Sequence, residues 1–148
     1  MTAPAQPERA TQLPAKAVIL GPSTTGNGLD EIFADPLCGN VAFKTLLSSS
    51  RTPTNALTAG VAICAKGGGS LNAHSHPQAE MYFFLEGEGV IELDGVQSTV
   101  SQGSMIYIPG NAQHSVVNHS EVSDLRWLYV YATDDFSDIQ YRWAHTQN

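Results

Sequence analysis

From Gly39 onward the chain is a succession of short β-prone runs cut by turn-forming residues. The runs NVAFKTLLSS, TAGVAICAK, EMYFFLEGEG, GVIELDGV, QSTVSQG, SMIYIPG, HSVVNH and DLRWLYVYA are rich in β-branched, aromatic and leucine residues. Such residues suit a pleated, half-buried surface. Gly, Asn, Asp or Pro punctuates the runs, and Asp94-Gly95 marks a two-residue hairpin turn because both residues tolerate positive φ. Many short strands at even spacing predict a sandwich, barrel or jelly roll.

Ahead of this region the signals change. Residues 1–13, rich in Pro, Ala and Gln, read as a flexible arm. AKAVIL (15–20) is predicted as a first strand and GPSTTGNG (21–28) as a loop. LDEIFADPL (29–37) is predicted as a helical turn or two stopped by Pro36, placed to cover one opening of a barrel. No repeat or linker divides the rest, so residues 14–148 are expected to form one domain.

Charge narrows the function. Only 14% of the 148 residues are charged and the net charge is −7. An acidic chain is a poor match for phosphate backbones, and no polybasic patch suits an anionic membrane. Neither nucleic acid nor membrane is an expected partner. The sparse charge predicts an apolar contact surface, and so a homodimer. No apolar run reaches the length of a membrane span and the N-terminal residues do not resemble a signal peptide, so a cytoplasmic location is expected. Cys38 and Cys64 form no metal-type pair and read as reduced thiols, Cys64 in an apolar strand.

One stretch carries chemistry, GGGSLNAHSHPQAEMYFFLEGEG (67–89). Strand residues two apart share a face, which pairs His74 with His76, and Glu80 with Tyr82 and Phe84. His114 follows a separate turn, PGNAQH. Three imidazoles and one carboxylate suit a divalent first-row metal, and a cation would offset the cost of burying Glu80.

Two spaced motifs resemble those of the cupins, small jelly-roll barrels with a central metal. Gly68, His74, His76, Glu80 and Gly87 fit G-x5-H-x-H-x3-E-x6-G. Gly103, Pro109, His114 and Asn118 fit G-x5-P-x-G-x2-H-x3-N, with Asn111 standing where the family has glycine. Asn also tolerates left-handed backbone, so the turn is expected to survive. The resemblance implies an all-β cupin jelly-roll, with a short N-terminal helical segment before it. It also implies that His74, His76, Glu80 and His114 are metal ligands, leaving coordination positions open for catalysis. Fe(II), Mn(II), Ni(II), Co(II) and Zn(II) all accept such ligands.

Tyr82 shares a face with Glu80. A nearby cation lowers a phenol's pKa, which makes Tyr82 a candidate general base, with Tyr107 a second candidate. Trp127, Tyr129 and Tyr131 share one face of their strand and Arg126 lies on the other. The aromatic face could hold a cation, and Arg126 a substrate carboxylate. Within the cupins the chain is similar to single-domain dimethylsulfoniopropionate lyases. That resemblance implies β-elimination from a small carboxylate-bearing substrate, with Tyr82 as base. An Fe(II)-dependent dioxygenase, a sugar or keto-acid isomerase or decarboxylase, and a non-catalytic ligand-binding cupin are the alternatives.

Overall fold

A computed structural model describes residues 14–26 and 28–147, so the expected N-terminal arm lies outside the described residues. Among the described residues ten strands follow one another: β1 Ala42–Leu47, β2 Thr58–Cys64, β3 Ser70–Ser75, β4 Glu80–Glu86, β5 Glu88–Leu93, β6 Val96–Ser101, β7 Met105–Ile108, β8 His114–Val117, β9 Leu125–Tyr131 and β10 Arg142–Trp143. They form two five-stranded antiparallel sheets, ordered β1-β2-β9-β4-β7 and β10-β3-β8-β5-β6. The predicted hairpin joins β5 to β6, with Asp94 and Gly95 both at positive φ (47° and 84°).

Alternation decides what lies between the sheets. In β4, Glu80, Tyr82 and Phe84 are buried, and Met81, Phe83 and Leu85 face outward. In β9, Leu125, Trp127, Tyr129 and Tyr131 are buried. The aromatic face therefore lines the interior. Arg126 lies on the outer face, 3.8 Å from Glu86, and does not reach the interior as a carboxylate anchor. Gly60 on β2 makes room for this packing: a Cβ there would sit 2.2 Å from the Tyr129 hydroxyl.

The N-terminal segment differs from expectation in three places. AKAVIL forms no strand, because it has no ladder to join: the edge of β1 is already occupied by Glu31, which exchanges both backbone hydrogen bonds with Phe43 at 2.9 Å. That pairing also keeps residues 29–33 from coiling, so the expected helix over LDEIFADPL is replaced by non-helical chain that reaches only a 3-10 turn at its end. The short helix is instead α1, Pro22–Thr25, within the expected loop, with proline at its start where no N–H is needed. Pro36 likewise opens a 3-10 turn, Pro36–Cys38, whose first residues are capped by the Asp35 carboxylate accepting from Leu37 N–H. As expected, the segment still covers the interior, since Phe33 packs on Phe43, Tyr141 and Trp143. No helix among the described residues is long and apolar enough to cross a membrane.

Candidate metal centre

Register brings the histidines together. His74 lies directly opposite His114 across β3 and β8, with ring centroids 4.2 Å apart. His76 stands one residue beyond the end of β3, where the chain crosses to the other sheet, and its carbonyl accepts from Asn111 N–H at 2.7 Å. Asn111 adopts φ 69°, the left-handed conformation the turn requires. Glu80 opens β4, and its carboxylate meets the histidines from the facing sheet. All four side chains are almost fully buried.

The backbone orients each ring. The Nδ1–H of His74 donates to Asn72 O (2.7 Å), that of His76 to Gln78 O (2.8 Å) and that of His114 to Ala112 O (2.9 Å). A carbonyl can only accept, so these bonds assign the proton to Nδ1 and turn every Nε2 inward. The Nε2 atoms of His74 and His114 are buried without a hydrogen-bond partner among the described residues. His114 Nε2 lies 3.2 Å from Glu80 Oε2, an ion-pair distance without hydrogen-bond alignment, and His76 Nε2 is 3.0 Å from the same oxygen. Two nitrogen lone pairs facing a carboxylate oxygen are repulsive unless a proton or a cation lies among them. The histidine ligand atoms lie within 4.8 Å of one another. Three imidazole nitrogens and one carboxylate thus fit a divalent first-row cation.

Electrostatics point the same way. Burial, then the neighbouring His114, pushes His74 down to about 3, which keeps its imidazole neutral near pH 7. Burial pushes the Glu80 carboxyl up, but the imidazoles of His114 and His76 outweigh it and hold the group below the usual carboxylate range.

The structure separates the two tyrosine candidates. Tyr82 is buried on the interior face two residues from Glu80, with its ring 6.1 Å from that of His114. Burial, then the Glu80 charge, raises its phenol well above the ordinary value. Tyr107 lies outward on β7, is 69% exposed and pairs across the strand with Met81. An odd-numbered position on that strand cannot face the cluster, so Tyr107 is not brought to it.

Further aromatic residues surround the cluster. Tyr131 stands 5.1 Å from His76, ring to ring, and its hydroxyl is 2.8 Å from that of Tyr141. Tyr141 and Trp143 stack on each other and cover His74 at 5.5 and 4.9 Å. Tyr131 was legible as part of an aromatic face. Tyr141 and Trp143 belong to a two-residue strand and its approach, too short to leave a periodic signal. Beside the cluster lies a small cavity of about 20 Å³, walled by Phe33, Phe43, Trp127, Tyr129, Tyr131 and Tyr141 among others.

Comparison with known proteins agrees with this architecture. The Cupin domain family matches residues 60–131. The chain is 35% identical over 110 residues to the dimethylsulfoniopropionate lyase DddW of Ruegeria pomeroyi, covering 74% of this chain and 70% of that protein. The polyketide cyclase RemF from Streptomyces resistomycificus superposes with a TM-score of 0.64 at 20% identity, over 77% of this chain and 78% of that one. A Cupin 2 conserved barrel domain protein from Salinispora arenicola superposes with a TM-score of 0.60 at 20% identity, over 78% and 89% of the two chains. With two antiparallel sheets closing over a histidine cluster at the cupin spacings, and a relative this similar over most of its length, the chain belongs to the cupin superfamily.

Proposed function

We propose that this cupin is a metal-dependent lyase that performs β-elimination on a small carboxylate of the dimethylsulfoniopropionate type, with Tyr82 as base. The observation that carries the reading is the placement of the Tyr82 phenol on the interior face beside the inward-facing nitrogens and Glu80. The 35% identity to a dimethylsulfoniopropionate lyase supports it. His74, His76, Glu80 and His114 are the proposed ligands. A divalent cation held by them would polarise a substrate carboxylate, acidify its α-proton and draw the Tyr82 pKa down.

The chain's own residues supply the rest. Tyr82, acting as the phenolate after its own proton has passed to solvent, takes the α-proton at Oη; the α–β double bond forms, and the β-carbon–sulfur bond breaks with its electron pair leaving on a neutral sulfide. Trp127, Tyr129, Tyr131 and Tyr141 wall the cavity with ring faces, which suit a sulfonium cation. Phe33 and Phe136 narrow it against water. The chemistry needs no oxygen, which separates it from a dioxygenase. Tyr82→Phe keeps the ring and removes the base, and should lower kcat at least about 100-fold with metal content unchanged. Full turnover by Tyr82→Phe would remove the base assignment.

We also propose that residues 14–148 act as one domain and pair as a homodimer. Outward-facing Met81, Phe83, Leu128 and Val130 adjoin exposed Met105 and Tyr107 on a single sheet face, and this supports the pairing.

A further inference from the structure

A second group of ligand-type side chains lies outside the central cluster. Asp35, Cys38 and His145 each place one donor atom within 4.8 Å of the other two. Two of them stand on the 3-10 turn near the N-terminal end of the described chain and the third on the turn Ala144–Thr146. Asp35 divides its carboxylate: Oδ1 accepts from Leu37 N–H at 2.9 Å, and Oδ2 lies 3.0 Å from His145 Nε2. An aspartate–histidine pair alone would account for those two residues. It does not account for Cys38, only 3% exposed, whose sulfur is turned to the same point and makes no hydrogen bond among the described residues.

Carboxylate oxygen, imidazole nitrogen and thiolate sulfur in one group are zinc's donor set. Zinc bonds of about 2.0–2.3 Å place tetrahedral donors roughly 3–4 Å apart, so only a short contraction is needed. The turns that carry the donors both pack on β3, the strand of His74. Asn72 on β3 holds one of them through a 2.9 Å bond to Leu37 O. Trp143, two residues before His145, is the ring that covers His74.

We propose that Asp35, Cys38 and His145 form a second metal site, suited to zinc with water as fourth ligand, that clamps the C-terminal turn to the N-terminal segment. On binding, the Cys38 thiol gives its proton to solvent and the thiolate bonds the ion. The site fastens the segments that bring Phe33 and Trp143 over the central cluster. This proposal is independent of the reaction assigned to that cluster.

Cobalt(II) titration of the metal-stripped full chain tests it, in a non-thiol reductant. A thiolate ligand produces a near-ultraviolet sulfur-to-cobalt charge-transfer band, which three imidazoles and a carboxylate cannot. The parent should show the band and bind two ions per chain. Cys64→Ala and His74→Ala should keep the band, and Cys38→Ser should lose it. His145→Ala, a change at a half-buried position that folding should tolerate, should weaken cobalt binding measured on the band at least about tenfold. No band in the parent, a band that survives Cys38→Ser, or unchanged affinity in His145→Ala would each overturn the second site.

Discussion

His114 is held by a single backbone bond and offers its other nitrogen to the cluster from the sheet opposite Glu80. Its removal deletes one proposed ligand and leaves the other three proposed donors in place. His114→Ala should therefore weaken metal binding at least about 100-fold, read by competition with a chelator. Unchanged affinity would show that the fourth ligand is superfluous. The same cluster sets the acid sensitivity of the metal-free chain. The folded pKa of His74 is about 3 against an ordinary 6.5, so between those values the unfolded chain binds a proton the folded chain refuses. Stability then falls as pH drops through that window. Glu80, whose folded pKa is depressed, contributes stability above the ordinary carboxylate value and loses it as pH falls further. Both signs agree, so the denaturation midpoint of the metal-free chain should be lower at pH 5 than at pH 7; an equal midpoint would contradict the buried neutral His74.

Among the elements, strands were the legible part. β4 and β9 announced themselves as strands by alternation, although alternation alone leaves open which face of β9 is buried, and the motif spacings picked out His74, His76, Glu80 and His114 because three of the four lie within seven residues. What stayed hidden depends on partners distant in sequence. Residues 29–33 look helical locally, but the pairing of Glu31 with Phe43 holds them out of a helix. Phe33, Tyr141 and Trp143 meet over the site only after the chain ends fold back on β1 and β3. The turn Phe136–Asp138 is a similar case. Its cap, Asp135, accepts from the hydroxyls of Ser48, Ser49 and Ser137 and from the N–H groups of Ser50 and Ser137. Burial opposes its charge, but these donors prevail and hold its pKa far below the ordinary value. Asp135→Ala should cost about 1–3 kcal/mol in denaturant unfolding, because the buried Ser48 hydroxyl loses its acceptor and the turn loses its cap. A change under about 0.5 kcal/mol would mean water replaces the carboxylate at no penalty.

At the scale of the whole molecule, one sheet turns aromatic residues inward to wall a small cavity and Met81, Phe83, Met105 and Tyr107 outward. The inner face lines the proposed substrate site, and the outer face, which includes Tyr107, is the proposed dimer surface. Sedimentation should find the parent dimeric and Tyr107→Glu monomeric; a monomeric parent would end the dimer proposal. The reaction proposed for the enclosed cluster and the phenol beside it is an elimination that needs no oxygen. The most direct measurement is dimethyl sulfide release from dimethylsulfoniopropionate by the metal-loaded full chain under strict anaerobiosis. Sustained release, abolished by chelation and restored by a divalent metal, is the predicted result. No release with any of Fe(II), Mn(II), Ni(II), Co(II) or Zn(II) would contradict the proposed reaction.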